Sequence, residues 1–258
     1  MKPTAQGIAR TYSDRVYPDP WEKVLDYRRV CEYAAKHPNA GRVRVGNVLD
    51  LPSSRVRGWI NDSMPDPVWG LNTAIDYGWV EPDPEREIAA SLVELLAHVL
   101  SGGSISEKFF VPAVTSGKRV KIKEVRLAFE NVGVKTVTRH KNSKSRSTEV
   151  VPANDGSVLG RCLVTMGIPN GKKTELERLP PAVWDVPLSI RRSFAQIYLR
   201  HRGLDHKQKA TTQIQVKRPT SFINDLWKLL DEVCDAKVTS SADRITISAD
   251  AARELQID

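Results

Sequence analysis

The 258-residue sequence predicts an α+β fold, with an all-α front segment followed by a longer part in which helices alternate with short strands. Three observations carry this expectation. Apolar residues recur at helical spacing from Trp21 to Ala34, through Val24, Leu25, Tyr27, Val30 and Cys31. The acidic, proline-bearing stretch 81–86 has no apolar period and marks a boundary. Behind it, the order helix, strand, helix, strand pair, helix occurs twice, as an internal duplication would produce. The expected segments are a tail at 1–18, a helical domain at 19–80, a linker at 81–86, and repeats at 87–178 and 179–258.

In the front domain, His37-Pro38 ends the first helix, because the residue before proline is forced out of the helical region. A short second helix fits "GRVRVGNVLDL", with Val43, Val45 and Val48 to Leu51 turned inward. After "PSS", Ser53 or Ser54 is expected to cap a third helix by accepting from its free N–H groups. Val56, Trp59 and Ile60 form that helix's apolar side, leaving Ser53, Ser54, Arg55, Arg57 and Asn61 to face outward. A short basic helix joined to its predecessor by a tight turn is what entry into a DNA major groove requires. Arginine can pair with guanine edges and asparagine with adenine edges, and the serines can hold a phosphate. The stretch "GRVRVGNVLDLPSSRVRGWI" resembles the helix-turn-helix of site-specific recombinases and transposases.

The first repeat opens with a helix through Ile88, Leu92, Leu95, Leu96 and Val99 that stops at Gly102-Gly103 and leads into strand-like "KFFVPAV". Helical "VKIKEVRLAFENVGV" follows, then a hairpin in "KTVTRHKNSKSRSTEVVPA" and the helix "GSVLGRCLVTMG". The second repeat runs through "SIRRSFAQIYLRHRG", the strand "KATTQIQVK", the helix "TSFINDLWKLLDEVCD", strands in "KVTSSADRITIS", and a final helix "ADAARELQ".

Composition narrows the functional classes. Forty per cent hydrophobic residues, with no apolar run near the roughly 20 residues of a membrane span, predict a soluble chain without a membrane partner. The first residues lack a secretory signal, so the expected location is the cytoplasm, in association with the nucleoid. Cys31, Cys162 and Cys234 are widely spaced and odd in number, which argues against a disulfide framework or a cysteine-based zinc module. His201 and His206 lack a nearby second ligand pair and are expected at the surface or facing phosphate. No cofactor fingerprint, phosphate-cradling glycine loop or metal site is evident, so the expected cofactors and metals are none. The net charge of +8 points to a polyanionic partner. Trp184 and Trp227 lie among apolar neighbours and are expected in the core.

The run Leu159–Gly203, together with "LLAHVLSGGSIS", resembles the motif helices and connecting segment of LAGLIDADG homing endonucleases. The resemblance covers roughly Glu87 to Asp258 and implies a pseudo-duplicated αββαββα saddle whose two motif helices pack as an axis. In that family each motif helix presents one carboxylate at its C-terminal end, and the pair holds divalent metal against the scissile phosphates. Laid onto this sequence, the acids fall on Gly102 and Arg202. Glycine has no side chain and arginine carries the wrong sign, so neither position can bind a cation. Glu107 and Asp205 are the nearest substitute acids. Ala97 keeps the small residue that lets the axial helices approach, whereas Ile197 stands at the corresponding place in the second helix.

The saddle implied by the resemblance would carry DNA without the metal. Lys118 to Arg146 is basic with only Glu124 and Glu130 in opposition. It offers Lys118, Arg119, Arg139, Lys141, Lys144 and Arg146, with His140 at the hairpin tip. The second repeat offers Arg202 and the basic stretch "HKQKATTQIQVKR", in which position 208 is Gln208, flanked by lysines. Further along that stretch Gln213, Gln215 and Lys217 alternate along one strand face. The expected partner is double-stranded DNA, bound by a monomer acting as a sequence-specific regulator without nuclease activity. Alternatives are a homing endonuclease, an intron RNA maturase with RNA as partner, and a protein-interaction scaffold. The layout also resembles, in reversed order, certain bacterial sporulation regulators that join a LAGLIDADG-like domain to a helix-turn-helix.

Overall fold

The computed structural model of the protein describes residues 2–140, 143, 147–205, 210–215 and 217–257. The chain forms two compact units, Thr4–Asp76 and Met1–Pro3 with Tyr77–Asp258. The division lies just ahead of the acidic stretch. Glu81 is itself held, its N–H donating to Pro3 O at 2.7 Å.

The first unit is all helical: α1 (Ala5–Arg10), α2 (Pro20–Lys36), α3 (Arg42–Leu49), α4 (Ser53–Trp59) and α5 (Asp66–Asp76). The segment expected as a tail contains α1, which buries Ile8 and Ala9 and packs on α2 and α5. Asp19 caps α2 by accepting from Trp21 N at 3.0 Å, and Pro20 occupies the first turn, where its missing N–H costs nothing. Tyr17, Val30, Val45, Val56 and Trp59 form a core shared by α2, α3 and α4. The α3–α4 turn is close: Asp50 adopts φ 55°, and a Cβ on Gly46 would lie 2.6 Å from Leu51 O. Glycine is therefore required there by backbone approach. Val43 and Val48, expected inward, are both 57 % exposed, because α3 turns only the Val45 side toward the core.

The second unit contains α6 (Glu87–Gly102), β1 (Gly103–Ile105), β2 (Pro112–Thr115), α7 (Ile122–Asn131), β3 (Thr136–Arg139), β4 (Glu149–Pro152) and α8 (Gly156–Thr165). After a 3-10 turn at Pro181–Val183 come α9 (Leu188–Arg202), β5 (Leu204–Asp205), β6 (Thr212–Gln215), α10 (Thr220–Val233), β7 (Val238–Ser240), β8 (Arg244–Ile247) and α11 (Ala249–Glu254). The strands form two antiparallel four-stranded sheets, ordered β1-β2-β4-β3 and β5-β6-β8-β7. Both sheets thus share one strand order. Ser104 pairs with Ala113 and Leu204 with Gln213, so the strand after α6 and the strand after α9 leave their helix ends in matching register.

Helices α6 and α9 pack against each other at the centre of this unit. Leu92, Leu95, Leu96, Ala97 and Val99 are buried on α6, and Phe194, Ala195 and Leu199 on α9. Helices α7 and α10 cover the inner faces of their sheets. Trp184 and Trp227 are not in the core. Trp227 is 36 % exposed, and Trp184 is half-buried beneath Arg191 and Lys228. Cys162 and Cys234 are buried and Cys31 half-buried, all as free thiols. Among the described residues no helix is long and apolar enough to cross a membrane.

Candidate nucleic-acid interface

On α4 the expected contact residues divide. Ser53, Ser54 and Arg57 are exposed. Neither serine caps the helix: Pro52 takes the N-cap position, and no side chain accepts from the first turn. The N–H groups of Arg55 and Val56 donate instead to Pro52 O, at 3.0 and 3.2 Å. Arg55 is only half-exposed, because its guanidinium lies 4.7 Å from the Tyr17 ring and donates to Tyr17 Oη at 2.8 Å. Asn61 is exposed but lies beyond Ile60, which ends α4. Arg42 and Arg44 on α3 are also exposed and add positive charge to this unit.

In the second unit, Gln213 and Gln215 share the outer face of their sheet, opposite buried Ile214. Register places Thr246 beside Gln213 and Arg244 beside Gln215, with Thr239 beyond Thr246. Sequence reasoning missed these three polar neighbours, which only strand pairing brings together. On the other sheet, exposed Arg139 stands directly across from Glu149, whose other neighbour is Thr115. That rung is therefore mixed in charge. Lys118 is exposed. Lys141, Lys144, Arg146 and Gln208 lie outside the described residues, as does His206.

The C-terminal ends of α6 and α9 explain more of the sequence. Gly103 N–H bonds back to Val99 O, and Gly203 N–H to Leu199 O at 2.6 Å. Each end is then closed by a cation from a distant loop. Lys173 Nζ donates to Val99 O and Leu100 O, both at 2.8 Å, and to Gly103 O. Arg119 donates to Gly203 O at 2.8 Å and pairs with Asp205. A positive group is favoured at each end by the unpaired carbonyls and the helix dipole. Arg119, expected as an open contact residue, is thus largely engaged inside the protein. Asp205 is the partner of that arginine, and the Glu107 side chain rests against Gly171.

Position 102 is closed sterically as well as chemically. A Cβ there would lie 2.2 Å from the His201 ring. His201, expected at the surface or facing phosphate, is half-buried, and its Nε2 lies 3.0 Å from Nδ1 of buried His98. Burial, then His201 and Arg200, pushes His98 down to about 3, and burial, then Arg202 and Arg200, pushes His201 down to about 4. One N–H shared between two ring nitrogens fits a neutral pair, since two imidazoliums would set donor against donor. Beside this pair, Ile197 borders a cavity of about 300 Å³ that also meets Glu94, Glu124 and Arg200. Packing around Ile197 is therefore open. Burial raises the Glu94 carboxyl, while Glu124 lies 2.6 Å from Arg200. Among the described residues, no three histidine, cysteine or acidic side chains come together to hold a metal ion.

Arg202 ends α9 exposed and lines a cleft of about 260 Å³ with Lys217 and Arg218. No protein-family model matches the chain, and no curated protein matches it in sequence.

Proposed function

We propose that the chain is a sequence-specific double-stranded DNA-binding protein of regulatory type, built on a degenerate LAGLIDADG-like saddle and lacking nuclease activity. The carrying observation is the chemistry of the two packed helix ends. Metal-assisted phosphodiester cleavage needs carboxylates where attacking and leaving oxygens will lie. Lys173 and Arg119 close those ends, His201 fills the space at Gly102, and Arg202 takes the last place on α9. Cations so placed oppose a metal ion, and the exposed Arg202 suits a phosphate.

The matching strand order of the two sheets supports a pseudo-duplicated αββαββα arrangement. The outward-facing Gln213, Gln215, Thr246 and Arg244 supply groups for base edges and phosphates. The α3–α4 pair provides a second reading element, with Arg57 exposed on the shorter helix.

Selection from a randomised duplex pool tests this reading. Wild-type protein is expected to enrich one motif. Arg57→Glu is expected to bind at least tenfold more weakly and to relax part of that motif, at about 1–3 kcal/mol for a lost base contact. Enrichment of no motif by the wild type would reject sequence-specific binding. An unaltered motif and affinity in the variant would remove α4 from the interface.

A further inference from the structure

The cleft at the end of α9 is chemically distinct from the outer sheet faces. Its walls are Thr174, Tyr198, Arg202, Gln215, Lys217 and Arg218, giving three cations and no carboxylate among the described residues. Lys173 stands behind the wall, since Arg218 donates to its backbone oxygen at 2.6 Å. Arg218 is further fixed by stacking 4.5 Å from the Phe222 ring, which leaves its guanidinium oriented before any ligand arrives. Arg202 and Lys217 make no ion pair among the described residues.

Tyr198 adds a hydroxyl to the three cations. It is 3 % exposed, lies at the cleft wall, and its hydroxyl has no hydrogen-bond partner among the described residues. A hydroxyl at the wall of a cationic cleft can donate to an acceptor that enters it. Two guanidinium groups, an ammonium and a hydroxyl converging on one small space match the several acceptor oxygens of a tetrahedral oxyanion.

We propose that this cleft is a metal-free phosphate-binding site, in which Arg202, Lys217 and Arg218 bind the oxygens of one nucleic-acid backbone phosphate and Tyr198 Oη donates to the same group. The backbone as source rests on the DNA-binding reading above, whereas the cleft's affinity for phosphate does not. Lys173 fits this role. Burial, then Arg202 and Arg218, push its amine down to about 7, yet its three carbonyl acceptors match the three donors of an ammonium. An anion between the arginines offsets their repulsion and lets Lys173 keep its proton.

The test has two arms on the full-length protein. In the first, inorganic phosphate is titrated at constant ionic strength while arginine Nε–H resonances are followed by NMR. The expected result is a saturable shift at Arg202 and Arg218. Tyr198→Phe, which removes only the hydroxyl, should weaken it roughly three- to tenfold, and Arg202→Gln with Lys217→Gln at least tenfold. In the second arm, duplex affinity is measured from 50 to 200 mM salt. The double variant should lower the log–log slope by about 0.9, the value of one phosphate on duplex DNA. Saturation by phosphate with an unchanged duplex slope overturns the backbone as source and assigns the cleft to a free phosphate compound. No saturable response overturns the site itself, even if the chain binds duplex normally. Failure of the wild type to bind duplex rejects the DNA-binding reading, and the first arm still decides the cleft.

Discussion

The ends of α6 and α9 start from the same plan and finish differently. Each turns into a strand through a glycine whose N–H bonds four residues back, and each receives a cation from another loop. At α6 that cation is Lys173, half-buried against three carbonyls, and Gly102 is sealed by His201. At α9 the cation is Arg119, shared with an Asp205 that is 75 % exposed, and Arg202 opens onto a basic cleft. The closed end is a packing device and the open end is where a ligand can enter.

The sharpest way to break this comparison is at the glycines. A Cβ on Gly103 would meet Ala113 O at 2.2 Å, whereas on Gly203 it would meet Leu199 O at 2.7 Å and the Thr212 methyl at 2.8 Å. Gly103→Ala should cost about 3 kcal/mol and Gly203→Ala about 1, read from urea midpoints, because the first clash is deeper and falls on the backbone of a paired strand. Equal losses would make the two ends equally tight.

Next in size is removal of the cations. Lys173→Met strands buried carbonyls and should destabilise by about 2 kcal/mol. Arg119→Met, whose partner Asp205 faces solvent, should cost about 1 kcal/mol or less in the same assay. The reverse order would move the structural burden to α9.

The smallest effect concerns acid. His98 and His201 titrate in the folded state at about 3 and 4, below the ordinary histidine value near 6.5. The unfolded chain then binds more protons between those values. The pair's contribution is therefore complete above about pH 6.5 and is lost as pH falls toward 4 and below. His201→Gln should flatten the loss of stability across that window, as followed by urea unfolding at successive pH values. An unchanged acid limb would show that the pair is not what titrates.

Much of this architecture was legible locally. Leu92, Leu95, Leu96 and Val99 announce α6, Gly102-Gly103 its end, and Gln213 and Gln215 the outer face of β6, because helix and strand periods are written in neighbouring residues. Strands β1 and β5 are two or three residues long and carry no period of their own. They exist because β2 and β6 pair with them. The α1 helix within 1–18 is too short to announce itself by period and is held by tertiary packing.

The site was legible by residue type but not by engagement. Arg55 and Arg119 read as free cations, yet each is held by a partner far along the chain, Tyr17 in one case and Gly203 with Asp205 in the other. Lys173 gave no signal at all, since its role depends on carbonyls roughly 70 residues earlier in the chain. The outward polar row completed by Thr246 and Arg244 likewise required strand register.

DNA binding at a defined sequence, without cleavage, is the function proposed above. Incubating the purified full-length protein with a complex pool of duplex fragments and magnesium, then sequencing both retained fragments and their ends, tests that most directly. Intact retained fragments sharing one motif are expected. Fresh ends clustered at a single sequence would contradict it, and would mean that the protein assembles a metal site despite Gly102 and Arg202.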